Sequence, residues 1–166
     1  MKHSFVIRAI VFLFATMLVA SAMIEAQSTP KEAYPTMHAA GPFDVKVTHQ
    51  DDNSEDPLLS RMTLDKHYHG DLEAAGKGQM LAAGTEVKGS GAYVAIEKVT
   101  GRLQGHTGSF VLQHTGSMAQ NVPQLSIVVV PDSGTRDLKG LTGKMTIIIA
   151  ADGKHSYDFE YTLPGH

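Results

Sequence analysis

A-Y-V-A-I-E-K-V-T-G-R-L-Q-G-H-T-G-S-F-V-L-Q-H-T-G, residues Ala92 to Gly116, decides how this chain folds. Two runs rich in Tyr, Val, Ile, Phe and Leu flank the turn-forming Gly105-His106-Thr107-Gly108, the pattern of strand, short connection, strand. A turn centred there sets Leu103 opposite Phe110, Gly101 opposite Leu112, Val99 opposite His114 and Glu97 opposite Gly116. Side chains alternate across a strand, so Glu97, Val99, Leu103, Phe110, Leu112 and His114 share one mostly apolar face. Lys98, Thr100, Arg102, Gln104, Ser109, Gln113 and Thr115 take the other and look into water. Glu97 and His114 are thus polar residues on the buried side, diagonal to each other at roughly 7–8 Å between Cα atoms. An unpaired buried charge costs several kcal/mol, so the two are expected to pair, to meet a tyrosine hydroxyl, or to line a wet cavity. A slip of one residue in register would turn both to solvent.

Working outward, Phe43 to His49 alternates Phe43, Val45 and Val47 against Asp44, Lys46 and Thr48, a half-buried first strand. Ser60 to His69 is a second, with Met62, Leu64 and Tyr68 on one face. Gly70-Asp71 turns into a third, Leu72 to Ala83, whose Gly76 and Gly78 are expected to mark a bulge or a bend. The hairpin supplies strands four and five. Leu125 to Val130, Lys144 to Ala151 and Ser156 to Leu163 follow, the last two joined by Asp152-Gly153. Eight short-connected antiparallel strands with no long helix most simply close into a barrel whose interior holds side chains or one small ligand. A two-sheet β-sandwich is the alternative all-β fold. Strands six and seven are apolar on both faces, which calls for a cover: the Arg136 to Leu141 connection, or a second subunit in a homo-oligomer.

Residues 1–26 read as a secretory signal peptide: Lys2 and Arg8 give a basic start, Ala9 to Ala20 an apolar run too short to span a bilayer comfortably. Ala20-Ser21-Ala22 or Ile24-Glu25-Ala26 is the cleavage site. Residues 27–42, with Pro30, Pro35 and Pro42, read as a flexible leader, and residues 43–166 as the barrel domain. Export places the protein in the periplasm or outside the cell, with no cysteine for a disulfide, a lipid anchor or a thiolate metal site. Cleavage after Ala26 removes Lys2, Arg8 and Glu25 and takes the formal charge from −3 to −4, with no Lys/Arg run that would engage nucleic acid or an anionic membrane. The acidic loop D-D-N-S-E-D-P at Asp51 to Pro57 lacks calcium-loop spacing and reads as solvated.

Three ordered motifs carry a family likeness: Y-V-A-I-E-K-V-T-G-R-L-Q-G-H-T-G-S-F-V-L-Q-H-T-G from Tyr93, V-V-P-D-S-G-T-R-D-L-K-G-L-T-G-K-M from Val129 to Met145, and K-H-S-Y-D-F-E-Y-T-L from Lys154 to Leu163. From Phe43 onward the chain resembles the bacterial family called domain of unknown function 3224. That family is similar to allene oxide cyclase and dirigent-type barrels, which implies an eight-stranded antiparallel barrel with a pocket and no activity that transfers.

Glu97 and His114 are the candidate catalytic residues, the carboxylate orienting the imidazole as an acid/base. Tyr93 shares the Glu97 face, and Tyr157, Phe159, Tyr161 and Leu163 share one face of the last strand. Tyr93, Phe110, Leu112, Tyr157 and Tyr161 are therefore the candidate ligand contacts. A structural hydrogen-bonded cluster explains the same residues equally well. His67-x-His69-x-x-x-Glu73 has the spacing of a cupin metal motif, but it falls on the polar face of its strand and reads as an exposed His pair, so no metal or cofactor is expected. No G-x-S-x-G elbow occurs. The reading is an exported barrel that binds a small hydrophobic molecule. Its competitors are a cofactor-independent isomerase or cyclase, and a side-chain-filled barrel acting through its surface in the cell envelope.

Overall fold

The structure, a computed structural model, describes residues 34–51 and 56–165. The signal peptide, the first part of the leader and residues 52–55 of the acidic loop lie outside the described residues. Eight strands are found among the described residues: β1 (Met37–Gln50), β2 (Leu59–Tyr68), β3 (Leu72–Gly84), β4 (Gly91–Leu103), β5 (His106–Ala119), β6 (Val122–Val129), β7 (Thr142–Ile149) and β8 (His155–Thr162). Each pairs antiparallel with its neighbours in chain order, and β1 returns to β8, so the sheet closes as a barrel and not as a sandwich.

The hairpin register is corrected by four residues. β4 and β5 are joined by a two-residue turn, Gln104-Gly105, with Leu103 paired to His106, Val99 to Phe110, Glu97 to Leu112 and Ala95 to His114. Both turn residues have positive φ, 43° and 93°, as the tight hairpin turn that follows strand twist requires. Gln104 occupies a position that favours Asn because its side chain has long-range work. It donates from Nε2 to the His38 carbonyl at 2.9 Å and accepts from the Tyr161 hydroxyl at 2.7 Å, tying the turn to β1 and β8. An even shift preserves the faces, so Glu97 and His114 remain on one inner wall and diagonal to each other.

Two further boundaries move. Met37–Pro42, assigned above to a leader, is strand: it pairs with β8 from Met37 opposite Tyr161 to Pro42 opposite Ser156, and Ala39 is buried. Small residues and a proline weaken its hydrophobic period, but its backbone is held by β8. Gly76 and Gly78 do not bulge either, since β3 stays in continuous register with β2 and β4 through both. A Cβ on Gly76 would overlap the Glu97 carboxylate, so the missing side chain is the space that Glu97 fills.

The two ends of the barrel differ. At one end Leu72, Leu103, Phe110, Phe159, Tyr161 and Leu163 pack with Leu138 and Leu141 from the β6–β7 connection, which carries a 3-10 turn at Arg136–Leu138. That connection also covers the edge of β5, where Thr135 and Ser109 exchange backbone and hydroxyl hydrogen bonds. It therefore seals an end of the barrel and does not cover the outer face of β6 and β7, whose Val128 and Ile148 stay exposed. At the opposite end the inner wall is open. Val47 pairs with buried Leu64 and so points inward, yet it is 46% exposed; Leu125 and Ile149, inward by the same alternation, are 45% and 65% exposed. The wall is also uneven around its circumference, because β6 and β7 share a single register pair, Val128 with Lys144.

Candidate functional site

Midway down the barrel, between the packed half and the open half, four polar side chains meet. β4 places Glu97, β5 His114 and β2 both Lys66 and Tyr68, all facing inward. Glu97 is the hub. Its Oε1 accepts from the Tyr68 hydroxyl at 2.8 Å, and its Oε2 accepts from Lys66 Nζ at 2.8 Å. Lys66 Nζ also donates to the Tyr68 oxygen at 3.2 Å and lies 5.2 Å from the centre of the Phe43 ring, an added cation–π contact.

His114 Nε2 sits 3.1 Å from Glu97 Oε2, but off the line a hydrogen bond needs, and this buried nitrogen has no hydrogen-bond partner. Burial by itself pushes the Glu97 carboxyl up; the adjoining His114 and Lys66 outweigh it and hold the group below the usual carboxylate range. The Tyr68 phenol moves the other way: burial pushes it strongly up, and the Glu97 charge and hydrogen bond add to the shift, so it stays a neutral donor. The Glu97 side chain is 0% exposed, whereas Lys66 keeps 7% and His114 4% of their side-chain surface open. The carboxylate is sealed behind its donors.

In the open half, the inner faces of β3 to β6 line a pocket of about 380 Å³ with Met80, Ala82, Tyr93, Gly116, Met118 and Leu125 among its residues; the four cluster residues are not in its lining. The Tyr93 ring lies across Gly116, where a Cβ would overlap it, so the glycine lets the ring lie against the wall. Burial pushes the Tyr93 phenol up. A larger depression, about 950 Å³, lies on the outside of β2–β5 and is lined by outward residues such as Arg61, Lys77, Leu81, Val94 and Ile96. Its lining also includes the inward residues Leu64, Gly78, Ala95 and His114, the last being the one member of the polar cluster that borders it.

The model of the family described as a protein of unknown function, DUF3224, matches residues 39–161, which is the whole barrel from early β1 to the end of β8. The chain belongs to the DUF3224 family. A solved DUF3224 protein of unknown function from Shewanella oneidensis MR-1 is 44% identical, covers 80% of this chain and 100% of its own, and superposes with a TM-score of 0.74. No curated protein matches the chain.

Within this DUF3224 barrel the residues singled out in the sequence divide into two groups. Glu97, His114 and Tyr93 stand around the floor and the inner pocket. Phe110, Leu112, Tyr157 and Tyr161 belong to the packed half and are essentially without exposed surface. The Tyr157 hydroxyl accepts from the Leu72 amide at 2.8 Å and donates to the His69 carbonyl at 3.0 Å, and burial pushes its phenol up to about 12. The Tyr161 hydroxyl is taken by Gln104. His67 and His69 lie on the outer surface beside carboxylates, His67 at 3.8 Å from Asp65 and His69 at 3.7 Å from both Asp44 and Glu73. Lys66 was missed by the sequence reading, although it lies two residues from both Leu64 and Tyr68 and so had to share their face.

Proposed function

We propose that this protein is a binding cup: its open half takes a small hydrophobic molecule, and the Lys66/Tyr68/Glu97/His114 floor receives the polar end. One observation carries the reading. Inward-facing Val47, Leu125 and Ile149 are left in water at the open end, while the residues one or two rungs deeper are buried. Leaving such surface wet forgoes about 25 cal/mol per Å², which a guest of matching shape would recover. The pocket volume falls within the range of about 300–1,000 Å³ usual for small-molecule sites. Export of the mature chain remains part of the proposal and rests on the Met1–Ala26 segment; the mass of the protein recovered from the periplasm or medium tests it.

The cup is tested by native mass spectrometry of protein from its own host, followed by denaturation and identification of any released molecule, alongside titration with an environment-sensitive apolar fluorophore. Binding by the wild type and its loss in Leu125→Lys is the expected outcome. Leu125 is exposed, so the variant should fold normally while its ammonium occupies the mouth. Equal binding by both proteins removes the mouth from the site.

A second reading is favoured by the His114–Glu97 contact: an isomerase or cyclase in which His114 transfers a proton and Glu97 orients its ring. His114→Gln should then spare ligand affinity and abolish turnover of the molecule identified in the cup. Unchanged turnover overturns the acid/base assignment.

A further inference from the structure

Tyr68, Tyr93, Tyr157 and Tyr161 face the interior, and Tyr93 differs from the other three. Tyr68 packs on Phe43 at 5.5 Å between ring centres and on Tyr157 at 5.6 Å, and Tyr161 packs on Phe159 at 5.2 Å. Their hydroxyls donate to Glu97, to the His69 carbonyl and to Gln104. Tyr93 does neither. Among the described residues its ring meets no other ring and its hydroxyl has no hydrogen-bond partner, yet it lines the pocket of the open half. Resting on the binding-cup reading and deepening it, we propose that the guest is a flat aromatic molecule whose ring packs on Tyr93 between the thioethers of Met80 and Met118.

The wall around Tyr93 leaves room for such a ring. In its own rung its partners are Ala82 on β3 and Gly116 on β5, which carry little or no side chain. The Tyr93 ring lies across Gly116, with ring carbons Cδ1, Cε1 and Cζ within 2.7 Å of where a Cβ would stand, so bare backbone supports one side of it. The residue is half-buried and its remaining surface belongs to the pocket. Met80, paired with Ala95, stands one rung deeper on β3, and Met118, paired with Gly91, one rung nearer the mouth on β5. Both are diagonal neighbours of Tyr93, roughly 7–8 Å away between Cα atoms and within reach of long side chains.

Burial gains about the same per unit area from any apolar guest, so it does not choose between a saturated molecule and an aromatic one. These three side chains do. Aromatic rings packed edge to face or with an offset gain beyond the area they bury, and a thioether sulfur about 5 Å from a ring adds to the gain. A saturated guest collects neither contribution, and its puckered skeleton cannot lie flat along Ala82 and Gly116. Burial also keeps the Tyr93 phenol protonated, so the ring presents no charge for a guest to balance.

The test is calorimetric titration of the full-length wild-type protein with 2-naphthol and with decahydro-2-naphthol, which share one carbon skeleton and one hydroxyl and differ in aromaticity. 2-Naphthol should bind at least about tenfold more tightly, a difference of about 1.4 kcal/mol. Tyr93→Phe should keep that preference, and Tyr93→Leu should abolish it while still binding the saturated compound. The position is read in the wild type alone by magnetic resonance of isotope-labelled methionine methyls. The ring current of 2-naphthol should shift those of Met80 and Met118 and leave that of Met145, buried in the core, in place. Equal affinity for the two compounds, an undiminished preference in Tyr93→Leu, or shifts that spare both pocket methionines overturns the aromatic proposal and leaves the cup standing. Failure of the wild type to bind either compound overturns the cup itself.

Discussion

Glu97 is the residue whose loss should be felt most. Glu97→Gln keeps the shape but removes the charge that pairs with Lys66, stranding a buried ammonium; the expected loss of stability in urea unfolding is about 3–5 kcal/mol. The same residue sets an acid limit. Because its carboxyl is held below the ordinary 4.5, its contribution is fully present above that pH and is lost as pH falls through the lower folded-state value. Urea midpoints measured from neutral pH downward should therefore fall more steeply below pH 4.5 in the wild type than in Glu97→Gln, and parallel curves would show that Glu97 is not the titrating group. At this scale the sequence was informative to the extent that alternation could be trusted. Parity alone put Glu97 and His114 on one wall, and a register error of four residues did not disturb it. The same parity names Lys66, which lies between Leu64 and Tyr68 on the inward face; judging the strand by its hydrophobic members passed over a lysine whose charge only the distant Glu97 explains.

At the scale of single elements, the hairpin turn shows what local sequence cannot carry. Asn-Gly is the favoured pair for a turn with two positive φ values, and Gln104-Gly105 departs from it. The partners of Gln104 lie 66 and 57 residues away, at His38 and Tyr161, so nothing near the turn announces them. Gln104→Asn is accordingly expected to destabilise the protein, by about 1 kcal/mol for the two shortened contacts, although it improves the turn; a raised melting temperature would show that turn propensity outweighs the tie. The β6–β7 seam gives a second expectation. With one register pair between them, against thirteen between β4 and β5, the inward-turned edges of β6 and β7 have little ladder to hold them. Backbone amides of Val122–Ile127 should exchange with deuterium well ahead of those of Val94–Val99, and uniform protection around the barrel would contradict this.

For the whole molecule, eight strands in meander order were readable because most alternate clearly and each connection carries Gly, Pro, Asp or Asn. The early start of β1 was not, because its pairing with β8 joins the two ends of the barrel sequence and leaves no mark in either. The both-faced apolar pattern of β6 and β7 was read as a call for cover, and exposed Val128 and Ile148 keep that question physical. Self-association is expected to run through this outer face. Sedimentation of the wild type should show an oligomer that Val128→Glu with Ile148→Glu converts to monomer, and a monomeric wild type at high concentration disposes of the idea. One consequence concerns the girth of the mouth. A fully laddered cylinder has a fixed circumference, whereas one joined along a seam by a single rung is a split ring. Such a ring can spread to admit a guest broader than its resting bore and close behind it, at the cost of contacts along that line only. The thickness of the proposed guest would then be set by how far β6 and β7 part.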